Sequence, residues 1–398
     1  MIRIQDIAKT GLIGPMGLMG LIGLIGLIGL MGCSSDDEEQ NEAPLETIIP
    51  EVASYVTWFE EAQRTNRATR AWSIPTGYVA YENGIQPIGI AFTQDTKAPT
   101  IGSFFYSSGK WRTNFDDIKA EDYYLYGYIP HSTGIRYSIT DYNGGSTDAE
   151  KNADYSTGAI MTLENVPTVM PNDLCVVIGA KDGTDKETVT GLRRGDFKYT
   201  AKAISGGFDG GNFVFLLFDH LYATLRIRMT IYADYAALRT IKVKSLLLST
   251  KVGETTSKNH SDITIKLQAN DGSASPITED ITYTPTSEAK ENTDGIEFWK
   301  SAAGVELKTK EYEEFTGHFM PSGITTLILT SVYDVYDTQG NKIRENCRAT
   351  NTMVLNELLT EQTIAHRGYR YTVNMIVNPT YLYVLSEPDL DNPTLTVE

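Results

Sequence analysis

Residues 221–231 read Leu-Tyr-Ala-Thr-Leu-Arg-Ile-Arg-Met-Thr-Ile. Apolar side chains occupy every second position of this stretch, from Leu221 to Ile231, and mostly polar ones fill the positions between them. Because successive side chains of a strand point to opposite faces, this alternation indicates a β-strand with one face in a core. We therefore expect a sheet that is buried on one side.

The same period of two recurs on both sides of this stretch. Residues 124–128, 263–267 and 371–377 alternate in the same way. Gly, Asn, Asp and Pro separate these short runs, which is typical of antiparallel sandwiches rather than of βαβ units. The sequence predicts an all-β protein with two tandem antiparallel β-sandwich domains. We place their boundary in the glycine-rich residues 205–211, which gives domains at 45–209 and 210–398.

The chain begins with a leader. Arg3 and Lys9 precede residues 11–32, which carry no charge and end at Cys33. This is the layout of a secretory signal peptide. Leu30-Met31-Gly32-Cys33 resembles a bacterial lipobox, which implies cleavage before Cys33, lipidation of Cys33 and loss of residues 1–32. The alternative is a retained membrane-spanning helix, for which about 20 apolar residues suffice.

Residues 33–44 are acidic and contain few apolar side chains, so they predict a solvated, flexible spacer. The Ser-Asp-rich run resembles the signals that send some Gram-negative lipoproteins to the outer face of the outer membrane. A plain acidic linker explains it equally well. We expect a lipid-anchored protein of the cell outer membrane, exposed at the surface.

The charge balance excludes one class of partner. The chain has 34 Lys and Arg against 51 Asp and Glu, a formal net charge of −17. Such a surface repels nucleic acid, and no basic cluster offers a local exception. The five histidines are scattered, and no H-E-x-x-H or G-x-S-x-G motif occurs. We expect no enzyme, no catalytic residue and no cofactor.

Two cysteines remain once Cys33 is assigned to lipid. Cys175 and Cys347 both lie in stretches that predict strands, and an exported protein could pair them. Two buried, unbridged cysteines are the alternative. Neither has the local spacing of a metal site, so we expect no metal. Arg194-Gly195-Asp196 matches the tripeptide that integrins bind, but a solvated turn is the default interpretation of so short a motif.

The chain resembles the fimbrillin-like proteins, a family of two-domain, transthyretin-like β-sandwich lipoproteins that build or anchor type V pili in Gram-negative anaerobes. The stretches that carry the resemblance are residues 69–72, 111, 123–130, 163–167, 173–174, 218–226 and 368–373. The resemblance implies a subunit of a fimbrium, or an adhesin at its tip or anchor. Its partners would be other fimbrial subunits, with a host surface or glycans as possible further targets.

The resemblance also implies a route of assembly. In this family an arginine-specific cut removes the first strand, and a strand of the next subunit fills the groove that is left. The residues that match the cut region are Arg64, Arg67 and Arg70, and the last two lie closest to the predicted sandwich start at Trp72. Residues 45–71 would then be removed. An ordinary exposed basic loop is the alternative, and the segment before these arginines lacks a clean alternating strand.

The donor strand is predicted at the end of the chain, in residues 381–398. Tyr381, Tyr383 and Leu385 alternate with other residues, and Leu395 and Val397 follow near the C-terminus. In a self-contained sandwich these residues would form the last strands instead.

A rival function uses the same anchor and sandwiches. A monomeric surface lipoprotein could present aromatic platforms to glycans, and Trp58, Trp72, Trp111 and Trp299 could supply them. Large aromatic side chains are also what a sandwich core needs.

Overall fold

The structure is a computed structural model. It describes residues 51–57, 78–80, 86–108, 110–115, 118–142, 153–183, 191–201, 213–270, 280–359, 363–379, 388–389 and 394–397. The described residues all belong to one compact unit, Leu45–Glu398. The leader, Cys33, the acidic spacer, the three arginines and residues 381–385 lie outside them.

The described residues form strands almost throughout. In the first part of the chain these are β1 (Glu51–Thr57), β2 (Tyr78–Ala80), β3 (Ile88–Thr93), β4 (Thr100–Ser107), β5 (Lys110–Thr113), β6 (Asp122–Ile129), β7 (Arg136–Asp141), β8 (Gly158–Pro167), β9 (Val169–Met170), β10 (Cys175–Gly183), β11 (Lys198–Thr200) and β12 (Phe213–His220). A short 3-10 turn, Tyr155–Thr157, precedes β8.

The second part continues in the same way. Its strands are β13 (Ala223–Ile231), β14 (Thr240–Val252), β15 (Thr255–Thr256), β16 (His260–Gln268), β17 (Asp280–Pro285), β18 (Ile296–Glu306), β19 (Glu313–Phe319), β20 (Thr326–Tyr336), β21 (Lys342–Val354), β22 (Arg370–Pro379), β23 (Pro388–Asp389) and β24 (Thr394–Val397). Two single-turn helices, α1 (Ala233–Ala236) and α2 (Leu355–Leu358), follow β13 and β21. The prediction of an all-β fold is confirmed.

The described strands form four sheets. The first has the order β2-β1-β12-β10-β6-β3-β4-β5, with β11 paired to β6, and the second has the order β17-β16-β8-β7. The third has the order β23-β22-β13-β19-β9, with β24 paired to β22, and the fourth has the order β15-β14-β20-β21, with β18 paired to β14. Apolar residues of the first two sheets share one buried core, and those of the last two share another.

The alternating stretch at 221–231 follows its pattern at the centre, whereas Tyr222, Thr224 and Thr230 of the second face are buried as well. Strand β13 begins at Ala223, and Leu225, Ile227 and Met229 are fully buried while Arg226 and Arg228 are half-buried on the opposite face. It pairs antiparallel with β19 but parallel with β22. The parallel pairing differs from the antiparallel expectation. It is possible because β22 lies far along the chain and returns by a long connection rather than a hairpin.

The sheets do not change where we predicted the domain boundary. Strand β12, which follows residue 209, completes the first sheet by pairing with β10, and β16 pairs with β8 of the first half. The change to the third sheet comes between His220 and Ala223. The two strand pairings, β10 with β12 and β8 with β16, join residues on both sides of the predicted boundary. The division of the chain into two folding units at residues 209 and 210 stays a prediction.

Cys175 and Cys347 are not joined by a disulfide. Cys175 is buried in β10 of the first sheet, whereas Cys347 is half-buried in β21 of the fourth. Within the described residues, none of the helices has the length and apolar character needed to cross a bilayer.

Candidate strand-exchange site

The segment before the three arginines is a strand of the first sheet. Strand β1 runs parallel to β12, in a register from Glu51 opposite Phe213 to Val56 opposite Phe218. On its other side β1 pairs antiparallel with β2, with Thr57 opposite Tyr78. The sequence showed no clean alternation here. The signal that could have found this strand is its content of β-branched and aromatic residues.

Strand β12 is covered on both faces. Val214, Leu216 and Phe218 join a core with strands β3 and β6, whereas Phe215 and Leu217 point into the core shared with the second sheet. All of β12 except Phe213 is buried. A strand buried on both faces has a continuous apolar sequence instead of an alternating one, and Phe-Val-Phe-Leu-Leu-Phe is such a run.

The hydrogen-bonding edges of β12 are both occupied. β10 takes one edge, with Val176 opposite Asp219 and Ala180 opposite Leu216, and β1 takes the other. Without β1, the backbone N–H and C=O groups of that edge would face a strand-sized gap next to two apolar cores. Such an edge accepts an extended segment by strand addition.

The C-terminal strand pairs within its own chain. β24 lies antiparallel to β22, with Leu395 opposite Val373 and Val397 opposite Tyr371. These two predicted donor residues therefore form a last strand here. Tyr381, Tyr383 and Leu385 lie outside the described residues, as do Cys33, Arg64, Arg67 and Arg70, and their roles stay predictions.

An ion cluster holds the end of β12. The Asp219 carboxylate accepts hydrogen bonds from Arg194 at 2.8 Å and from Arg367 at 2.9 Å, and Arg367 also donates to the His220 carbonyl at 3.0 Å. Burial alone would raise the pKa of Asp219, but the two guanidinium groups more than offset this effect and hold it far below its usual value. Sequence reasoning missed this cluster because its members are distant in the chain.

The Arg194-Gly195-Asp196 tripeptide is a turn, but it is packed rather than solvated. The Arg194 side chain is only 17% exposed and pairs with Asp219. Gly195 is buried with a φ of 81°, and its N–H donates to the Ile178 carbonyl at 2.7 Å. The Ala180 N–H donates to the Asp196 carbonyl at 2.6 Å. The tripeptide thus fastens a turn to β10, and an integrin could not reach its arginine.

Of the four tryptophans that could form a glycan-binding platform, the structure describes two. Trp299 packs edge-on against Phe315, with ring centroids 4.6 Å apart, next to the core of the third and fourth sheets. Trp111 contacts the exposed Tyr106 at 5.6 Å on strands β5 and β4. Trp58 and Trp72 lie outside the described residues.

Comparisons with known proteins find similarity at the level of structure alone. No family model and no curated protein matches the chain. A solved candidate cell adhesion protein from Bacteroides uniformis is 14% identical with a TM-score of 0.33, over 87% of this chain and 98% of that one. The fimbrial anchor protein Mfa2 from Porphyromonas gingivalis is 10% identical with a TM-score of 0.26, over 83% and 92%. Likeness this distant does not assign a function.

A third solved structure shows the same degree of likeness. A fimbrial protein from Bacteroides ovatus is 11% identical with a TM-score of 0.27, over 83% of this chain and 48% of that one. The chain is thus similar to fimbrial and cell adhesion proteins over most of its length.

Proposed function

We propose that this protein is a surface lipoprotein that acts as a fimbrial subunit, or as the adhesin at a fimbrial tip or anchor, and that it assembles by donor-strand exchange. The observation that carries the proposal is the place of β1. It precedes Arg64, Arg67 and Arg70 in the chain, yet it is a strand of the first sheet, between β12 and β2.

A cut at any of these arginines would separate β1 from the rest of the sheet. After Thr57 the chain must pass residues 64–70 to reach β2, so cleavage leaves β1 held by noncovalent pairing alone. Each backbone hydrogen bond contributes about 0.5–1.5 kcal/mol net, and an equivalent strand would form the same bonds, so it can take the place of β1 at little net cost in free energy once β1 is free to leave.

The same cut would release the subunit from the membrane. Cys33 and its lipid lie on the same side of the arginines as β1. An uncut subunit would stay anchored with its groove filled, which suits an anchor. A cut subunit would lose the lipid and gain an open groove, which suits a filament subunit.

The incoming strand would come from residues 381–398 of a neighbouring subunit. This segment holds the alternating Tyr381, Tyr383 and Leu385, and β24 already adopts an extended conformation at Leu395 and Val397. An extended segment with apolar side chains at alternate positions is what a sheet edge beside a core accepts.

The experiment is to compare cell membranes with surface-sheared filaments. The Arg64→Lys, Arg67→Lys and Arg70→Lys triple variant keeps the charge but removes the site of an arginine-specific protease. We expect N-terminal sequencing of sheared wild-type material to begin between residues 65 and 71, and the triple variant to stay in the membrane fraction. Arg136→Lys, at an exposed arginine on β7, is the control. Sheared filaments that keep an intact acidic spacer would overturn the proposal.

The Tyr106–Trp111 pair, in which Tyr106 is exposed and Trp111 is half-buried, favours a second candidate, a monomeric glycan-binding lipoprotein. Sugars stack on exposed aromatic rings of this kind. Capture of the wild-type monomer by immobilised glycans, with loss of capture in Tyr106→Ala, would support it. Filaments that carry the protein in immunolabelled electron micrographs of cells would favour the pilus.

A further inference from the structure

Three donor side chains meet at one buried point, where β10 begins and β12 ends. They are Asp173, Cys175 and His220, and each is 6% exposed or less. The Cys175 Sγ lies 3.2 Å from Asp173 Oδ2 and 3.6 Å from His220 Nδ1. A short hydrogen bond joins His220 Nδ1 to the same carboxylate oxygen. Neither the groove of β12 nor the lipid anchor uses these groups.

The cluster is not built as a cysteine nucleophile. A thiol–imidazole–carboxylate relay needs one ring nitrogen towards the thiol and the other towards the carboxylate. Here the same nitrogen, Nδ1, faces both. Burial and the neighbouring Asp173 also raise the pKa of the Cys175 thiol well above its usual value, which keeps it protonated and unreactive.

We propose that Asp173, Cys175 and His220 form a structural site for a zinc-like divalent cation. Zinc takes sulfur ligands at about 2.3 Å and nitrogen or oxygen ligands at about 2.0–2.2 Å, so tetrahedral ligands stand about 3.3–3.6 Å from one another. The sulfur already has this spacing to His220 Nδ1 at 3.6 Å, and Asp173 Oδ2 at 3.2 Å lies just short of it. The ion would replace the hydrogen between Asp173 and His220 and move these two groups apart.

The charges fit this assignment. A thiolate and a carboxylate together neutralise a divalent cation, and neutral imidazole completes the set without a charge. Binding releases two protons, one from the thiol and one shared by Asp173 and His220. The adjacent Asp219 is already paired with Arg194 and Arg367, so its carboxylate is not available as a further ligand.

The scaffold holds the donors in place. Cys175 and His220 are opposite residues of the paired strands β10 and β12, and Leu221 N–H donates to the Leu174 carbonyl at 2.8 Å beside them. His318, on β19 of the third sheet, lies 3.7 Å from the other oxygen of Asp173 and 3.1 Å from the Thr224 hydroxyl. It is a nearby imidazole that can orient the carboxylate, and it would have to move towards the three donors to supply a fourth ligand.

The sequence could not show this site. Zinc motifs are recognised by pairs of ligands close together in the chain. Here Asp173-x-Cys175 supplies two donors, and the third follows only at His220. Strand pairing brings them together.

The test uses cobalt and zinc on the whole chain. Because the donors are buried, the ion has to enter before the sheets form. The detergent-solubilised protein is therefore unfolded in the presence of a chelator, which removes bound metal, and is then refolded with Co²⁺ or Zn²⁺. We expect one retained ion per chain after gel filtration, and a thiolate-to-cobalt charge-transfer band in the Co²⁺ form. The Cys175→Ser variant should lose the band and bind at least about 10-fold more weakly.

Cys347→Ser is the matched control, since Cys347 lies in the fourth sheet. It should keep the ion and the band. If Cys175→Ser does not refold, the rate of cysteine alkylation in the wild-type protein tests the proposal instead. Zn²⁺ should then slow modification of Cys175, but not of Cys347, under partly denaturing conditions. Wild-type protein that retains no cobalt or zinc, or a band that survives in Cys175→Ser, would overturn the proposal.

Discussion

Asp219 is the residue that fixes the end of β12, because its carboxylate serves both Arg194 and Arg367. Replacing it by Asn leaves two half-buried guanidinium groups without their counter-charge. We expect the Asp219→Asn variant to lose about 3 kcal/mol of unfolding free energy, the lower end for a broken buried ion pair. Urea denaturation followed by circular dichroism measures this loss. Asp294→Asn, at an exposed loop position, should leave stability unchanged.

The pH dependence of this difference has a definite sign. The pKa of folded Asp219 is depressed, so its contribution is present above the unfolded pKa of about 3.9 and is lost only as pH falls through the lower folded value. The stability gap between wild type and Asp219→Asn should therefore stay constant from about pH 8 to pH 5 and shrink only in stronger acid. A gap that closes near neutral pH would contradict the ion cluster.

Gly127 is a second residue with a specific requirement. It lies on β6 opposite Ile90, and a Cβ atom added there would collide with the backbone oxygen of Gly89. A neighbouring backbone cannot move aside as a side chain can. Gly127→Ala should destabilise the protein by about 1–3 kcal/mol, measured by thermal or urea unfolding. Gly134→Ala, whose added Cβ meets nothing nearer than the Ser132 hydroxyl at 3.7 Å, should be tolerated.

At the scale of single strands, β24 covers one edge of β22. Removing residues 381–398 deletes this strand and all the predicted donor residues. We expect the truncated chain to form no filaments, because no neighbour can then supply a strand. Its sheets should persist, since β22 keeps its long pairing with β13. Electron microscopy and circular dichroism measure the two outcomes.

A control for this truncation keeps the strand and changes only small side chains. The Thr394→Ser and Thr396→Ser double variant should still form filaments. Filaments in the truncated chain would place the donor elsewhere.

The strands differ in how well their sequence predicted them. β13 could be predicted because one of its faces is buried and the other is polar, so Leu225 and Arg226 differ visibly. β12 is buried on both faces, so its apolar run indicates a core segment but not its partners. β1 escaped prediction because its place depends on a parallel partner at residues 213–218. Pairings between distant strands, like the Asp173–Cys175–His220 contact, depend on the fold as a whole, so local sequence patterns do not predict them.

The whole molecule is held together by pairings that cross the predicted domain boundary. Residues 45–209 lack both β12, which lies inside the first sheet, and β16, which lies inside the second. We expect this fragment to show no cooperative unfolding transition, because each of its sheets would have a gap beside its core. Residues 33–398 should unfold cooperatively under the same conditions. Scanning calorimetry compares the two, and a cooperative transition in the fragment would contradict this reliance on later strands.

The position of β1 between two neighbours has a mechanical consequence. β12 pairs with it on one side and β2 on the other, and β2 lies beyond the arginines, so it stays with the subunit after a cut. A replacement strand would therefore pair with β12 over six residues and with β2 over three, and not with one edge alone. Pulling two such subunits apart lengthwise would shear two ladders at once, and a fibre joined in this way resists tension better than one joined at open edges.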